Sequence, residues 1–146
     1  MVLSNLRKDG GKVMGNGYKS GINEQRNGKY RILVVDDDGH ILSTLSFVLS
    51  AFGHSVSLAS DGDEGIREFG CRPYDLILTD LEMPGSDGIK LASHVKALSP
   101  GTPVVLMTGH RAEDVKKRLS GNHVDSIIYK PFGLKEIQET ISKILG

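Results

Sequence analysis

Five side chains able to do chemistry stand at the ends of apolar runs. Asp36 and Asp37 follow Ile32-Leu33-Val34-Val35, Asp80 follows Leu76-Ile77-Leu78-Thr79, Thr108 follows Val104-Val105-Leu106-Met107, and Lys130 follows Ile127-Ile128-Tyr129. A carboxylate at the mouth of a buried run is costly to desolvate, so it must be solvated, paired or metal-bound. If the three acids meet, they cannot all stay ionised without a cation. An all-oxygen set with access to water suits Mg2+ or Mn2+, and the chain offers no Cys or His cluster for zinc. Mg2+ uses one or two protein carboxylates, keeps waters and accepts phosphate oxygens. Lys130 and Thr108 would add a positive charge and a hydroxyl donor on the opposite side. A carboxylate flanked by a metal and a lysine is poised as a nucleophile toward a phosphoryl group, and the product is an aspartyl phosphate.

The elements between these residues bring them together. Regular structure is expected to begin at Tyr30, with a β-branched strand to Val35. Ile41, Leu42, Leu45, Val48, Leu49 and Phe52 then recur at helical spacing, and Gly53 stands where a helix C′ glycine belongs. His54 to Ala59 alternates as a short strand with Val56 and Leu58 on one face. Ser60-Asp61-Gly62-Asp63 offers N-caps for a helix through Glu64, Ile66 and Phe69 that stops at Gly70 and Pro73. A third strand ends at Asp80. Ile89, Leu91, Ala92, Val95 and Leu98 describe a third helix, with Asp87 and Gly88 shaping its start. A fourth strand runs from Pro103 to Met107, and a weakly amphipathic helix from Ala112 to Ser120 follows, anchored by Val115 and Leu119. A fifth strand spans Asp125 to Tyr129, and Leu134, Ile137, Ile141, Ile144 and Leu145 mark the last helix.

Five strands alternating with five helices imply a doubly wound α/β domain, with a parallel sheet covered on both faces. The continuous apolar strands one, three and four belong at its centre, and the half-polar second strand at an edge. Right-handed crossovers then favour the flavodoxin-like order 2-1-3-4-5. Ligands in such sheets sit outside the carboxyl ends at the switch point, here between strands one and three. Asp36, Asp37, Asp80, Thr108 and Lys130 all fall on that rim.

Charge divides the chain. Residues 1–29 hold six Lys/Arg against two Asp/Glu, so of the totals of 18 and 18, 12 and 16 remain for residues 30–146. The first segment, with six glycines and no helix or strand period, reads as a flexible basic tail, and residues 30–146 as one domain. An acidic domain does not suggest a nucleic-acid surface. The single Cys71 excludes an intrachain disulfide and fits a reducing compartment. No run approaches a membrane span or a signal peptide core, so a cytoplasmic location is expected.

The combination Val-Val-Asp36-Asp37-Asp38, Leu-Thr-Asp80-Leu-Glu-Met-Pro84-Gly, Met-Thr108-Gly and Tyr-Lys130-Pro131-Phe resembles the receiver domain of two-component response regulators, over residues 31 to 145. The resemblance implies that Asp80 is the phosphoacceptor. It implies that Asp36 and Asp37 bind Mg2+ together with the Asp80 carboxylate and the Glu82 backbone carbonyl. Thr108 would hydrogen-bond the phosphoryl oxygen and swing inward on activation, Lys130 would pair with it, and the Lys130-Pro131 bond would be cis. A sensor histidine kinase or phosphotransfer protein would be the donor in the phosphorelay, and autodephosphorylation would reset the domain. With the chain stopping at Gly146, output is expected through a separate protein or through phosphorylation-dependent homodimerisation, as in single-domain regulators, without direct DNA binding.

The chain also departs from the family. The aromatic usually found three residues before the lysine is Ile127, while Tyr129 lies on the same side of the strand one step from Lys130. Glu82 and His110 occupy the variable positions flanking the phosphoryl group, and an acid at Glu82 could reorient the attacking water. Asp38 reads as the start of the first helix, His54, His94 and His123 as surface or loop residues, and Lys116-Lys117-Arg118 as a solvated helix face. A haloacid-dehalogenase-like phosphatase also uses Asp with Mg2+, Thr and Lys, but it places the nucleophile after the first strand and needs a cap this chain has no insertion to form. A flavodoxin-like FMN or nucleotide binder would need a Gly/Ser/Thr-rich phosphate loop in place of an acidic rim.

Overall fold

All five expected strands form, and they pair in parallel. The computed structural model describes residues 29–121 and 124–146, so the expectations for His123 and for the tail before Lys29 fall outside the described residues. The order is β1 (Arg31–Val35), α1 (Gly39–Ala51), β2 (Ser55–Ala59), α2 (Gly62–Cys71), β3 (Leu76–Asp80), α3 (Gly88–Leu98), β4 (Val104–Thr108), α4 (Ala112–Leu119), β5 (Ser126–Tyr129) and α5 (Leu134–Leu145). The sheet runs β2-β1-β3-β4-β5, the doubly wound order expected from the sequence.

Burial explains why the central strands do not alternate. Every residue of β3 and β4, and of β1 after Arg31, is buried, because helices cover both faces. On one face, α1 and α5 close over Ile32, Val34, Leu76, Leu78, Val105 and Met107 through Leu45, Leu49, Ile137 and Ile141. On the other, Leu91, Ala92 and Val95 of α3 meet Leu33, Val35, Ile77 and Val104, with Ile66 and Phe69 of α2 packed alongside. Val115 of α4 joins Leu81 and Leu106, with Ile127 and Tyr129 together beneath it. Each fully buried Leu, Ile or Val contributes roughly 1.5–3 kcal/mol.

Acidic N-caps set three of the helix starts. Asp38, Asp61 and Asp87 accept the backbone N–H of His40, Glu64 and Lys90, respectively. Helices α4 and α5 follow Arg111 and Gly133 without a side-chain cap, and their exposed first turns leave the free backbone N–H groups open to water.

Some side chains depart from expectation. Val56 packs on the core, but Leu58 on the same face is 40% exposed, because β2 is an edge strand with a neighbour on one side only. Leu98 and Leu134, both expected on buried helix stripes, are exposed at the last residue of α3 and the first of α5. His54 is not a simple surface histidine. Its Nδ1 accepts the Tyr30 N–H at 3.1 Å, its ring stacks on Tyr30 with centroids 5.7 Å apart, and burial lowers its pKa.

Candidate functional site

Parallel register delivers the acids and the lysine to one rim. Val35 pairs with Thr79, Asp80 with Met107, and Thr108 with Tyr129, so each strand ends at nearly the same level. Asp36 and Lys130 extend the ladder by one step, with Asp36 N–H donating to Ala59 O at 3.1 Å and Lys130 N–H to Thr108 O at 2.7 Å. The Lys130-Pro131 bond is cis.

Carboxylate oxygens of Asp36, Asp37 and Asp80 lie within 4.8 Å of one another. Asp36 is fully buried, Asp80 is 7% exposed, and Asp37 faces solvent. Lys130 Nζ donates to Asp80 Oδ1 at 3.1 Å and to Asp36 Oδ2 at 3.2 Å, while Asp36 Oδ1 accepts the Asp38 N–H at 2.9 Å. One lysine against three carboxylates leaves the rim negative. Burial, and then the charge of Asp36, push the Asp80 carboxyl above the usual carboxylate range, with Lys130 opposing them. Burial pulls Lys130 down, but Asp80 and Asp36 outweigh it, so its ammonium is held more tightly than usual. An oxygen-only acidic rim, partly open to water and short of positive charge, fits a hard divalent cation such as Mg2+.

The remaining residues divide into those that approach this cluster and those held to one side. Thr108 is buried, and its Oγ1 accepts the His110 N–H at 3.0 Å, a bond that leaves the hydroxyl's own proton unused. Glu82 is exposed, and its carboxylate turns to the α4 side, where His110 Nε2 stands 3.2 Å from Oε2 and Arg118 donates to the same oxygen. Arg118 also donates to Asp87 Oδ2 at 3.0 Å. Lys116, Lys117 and Arg118 are all exposed, in line with the reading of a solvated face, and Arg118 in addition joins two acids of the β3–α3 segment. Helical spacing carried the signal: Arg118 is three residues from buried Val115 and adjacent to Leu119, at the border of the inward stripe.

Behind Asp80 the backbone is tightly packed. A Cβ on Gly88 would lie 2.4 Å from the Asp80 carbonyl oxygen, and one on Gly62 would lie 1.7 Å from the Ser86 carbonyl oxygen. Gly85 takes φ +75°, a left-handed turn that favours glycine, and Ser86 Oγ donates to Asp63 Oδ1 at 2.6 Å. The β3–α3 loop is thus pinned to the start of α2.

The family described as "Response regulator receiver domain" matches residues 32–142. This chain belongs to that family. The receiver domain is 35% identical over 120 residues to "Transcriptional regulatory protein ZraR" of Salmonella typhimurium, an alignment covering 82% of this chain and 27% of ZraR. It therefore spans about a quarter of that relative's length. Among solved structures, the CheY-like receiver domain protein of Methanospirillum hungatei JF-1 superposes with a TM-score of 0.76 at 28% identity, over 80% of this chain and 94% of that one. The receiver domain of sensor histidine kinase PA1611 from Pseudomonas aeruginosa PAO1, solved with a magnesium ion coordinated in its active site cleft, shares the fold with a TM-score of 0.75 at 24% identity, over 81% and 98%. No helix among the described residues is long and apolar enough to cross a membrane.

Proposed function

We propose that this receiver domain accepts a phosphoryl group on Asp80 in a Mg2+-dependent reaction, changes its partner binding while phosphorylated, and returns by autodephosphorylation. The observation that carries the reading is the Asp80 carboxylate itself, nearly buried, bonded to Lys130 and within 4.8 Å of Asp36 and Asp37. Asp36, Asp37, Asp80 and the Glu82 backbone carbonyl would hold the cation. When bound, it supplies charge neutralisation for the anionic acceptor and the incoming phosphate.

The residues of the chain do the rest. An Asp80 oxygen attacks phosphorus, the new O–P bond forms as the P–N bond of a phosphohistidine breaks, and the leaving imidazole regains its electron pair. Lys130 already sits on Asp80 and is placed to follow the charge onto the phosphoryl oxygens. Thr108 has a hydroxyl proton to donate to one of those oxygens. Water then hydrolyses the acyl phosphate, a step to which the neighbouring Glu82 and His110 contribute as modulators. The donor is a sensor histidine kinase or phosphotransfer protein, the work is done in the cytoplasm, and the phosphorylated surface acts on an output protein or a second copy.

Phosphotransfer from a phosphorylated kinase in the presence of Mg2+ tests the reading. The expected label is labile to hydroxylamine, as an acyl phosphate is, and disappears when the metal is chelated. A hydroxylamine-stable label would refute the assignment.

A further inference from the structure

Among the described residues, a second charge constellation, outside the acid cluster, is centred on Arg118. The two terminal nitrogens of this guanidinium divide between Glu82 and Asp87, 36 and 31 residues earlier in the chain. Asp87 is the N-cap of α3, its other oxygen accepting the Lys90 N–H at 2.9 Å. Glu82 stands two residues past Asp80, close enough in sequence to add a fourth carboxylate to the rim, yet its oxygens are not among those grouped within 4.8 Å. Its Oε2 meets Arg118 and His110 instead.

We propose that Arg118 is a positioning residue: it clamps the Glu82 carboxylate against α4 and so keeps a fourth negative charge out of the mouth of the Asp36–Asp37–Asp80 cluster. The inference rests on the functional reading above, since it concerns how that site takes up its cation. Two observations support it beyond the contact itself. The planar fork of an arginine can serve two acids at once, which a lysine ammonium does less well. Helix α4 has no side-chain N-cap, and Arg118 supplies a polar tie between it and the β3–α3 segment. His110 joins the Glu82 end of the clamp to Thr108 through its own backbone N–H, so the position of Glu82 is linked to the Thr108 hydroxyl.

The test is a double-mutant cycle read as Mg2+ affinity of the unphosphorylated protein, by calorimetry or amide shifts because the chain has no Trp. Loss of Arg118 removes a positive charge in any background, but only with Glu82 present does it also free a carboxylate to approach the metal. Arg118→Ala is expected to tighten Mg2+ binding about three- to tenfold in the wild-type background, and clearly less in Glu82→Ala. Arg118→Lys, which keeps the charge and loses the fork, is expected to fall between. Amide shifts of the metal-free Arg118→Ala protein should move at Glu82 and Asp87. The same fold-change with and without Glu82 would mean simple charge loss and would overturn the clamp, as would an unchanged affinity. A wild-type protein that binds no Mg2+ would instead overturn the functional reading, and the clamp with it.

Discussion

Lys130 Nζ lies 3.1 Å from Asp80 Oδ1, although the two residues are 50 apart in the chain and stand on β-strand ends separated by β4. The same nitrogen reaches Asp36 at 3.2 Å, so one cation bridges two acids with little exposure to solvent. That bridge offsets part of the negative charge that the clustered carboxylates bring together.

Removing the bridge should be costly. Lys130→Ala leaves two desolvated carboxylates without their counter-charge, and a loss of about 1–3 kcal/mol is expected in the metal-free protein. Added Mg2+ should restore more stability to this variant than to the wild type. Chemical denaturation with and without Mg2+ measures both.

Asp80 sets the opposite expectation. Its carboxyl is raised by burial first and by Asp36 second. Between the ordinary carboxylate pKa of about 4 and the raised folded value, the folded state binds more protons than the unfolded state, so stability falls as pH rises through that window. Asp80→Asn removes the ionising group. At neutral pH and without metal it should melt above the wild type, and the gap should close as the pH is lowered to protonate Asp80. A wild type that melts above the variant at neutral pH would contradict the sign.

His54 titrates in the other direction. Burial lowers its pKa, so the unfolded state binds more protons and stability is retained above the unfolded pKa of about 6.5. As pH falls from there through the folded pKa, that contribution is lost, together with the Nδ1 acceptor for the Tyr30 N–H. His54→Asn offers an oxygen in place of Nδ1 without the titration. Its stability should decline less than the wild type's between pH 7 and pH 5.5, as read by thermal melts across that range.

Gly88 is confined by backbone. Since a Cβ would stand 2.4 Å from the Asp80 carbonyl oxygen and 3.0 Å from Leu106 Cδ2, Gly88→Ala must displace the end of β3 or the start of α3. The expected loss is about 1–3 kcal/mol, with impaired phosphoryl uptake. Gly39→Ala, where nothing lies within 4 Å, is the matched control.

Glu82→Asn removes the carboxylate shared by Arg118 and His110. The decay rate of the phosphorylated domain should change; an unaltered rate would show that the Glu82 side chain has no part in dephosphorylation.

Much of this was legible in the sequence because the central strands are buried on both faces, which leaves continuous apolar runs, and a polar residue ending such a run marks the rim. Strand order followed from which runs alternate. Asp36, Asp37, Asp80 and Lys130 were found by that logic, and the structure brings their side chains together. Side-chain reach between elements was not legible. Helical spacing places Arg118 at the border of the inward stripe of α4, but nothing in the sequence names Glu82 and Asp87 as the acids it crosses to. Likewise, the Ser86–Asp63 bond joins a loop to a helix 23 residues away, and His54 finds its partner in Tyr30 only once β2 has paired with β1.

The central claim is that Asp80 carries the phosphoryl group, and intact mass after exposure to a small-molecule phosphodonor tests it most directly. With Mg2+, the wild-type protein should gain the mass of one phosphoryl group, and without the metal or in Asp80→Asn it should gain none. An adduct of the same size on Asp80→Asn, or steady multiple turnover of a phosphate ester with no adduct, would contradict it.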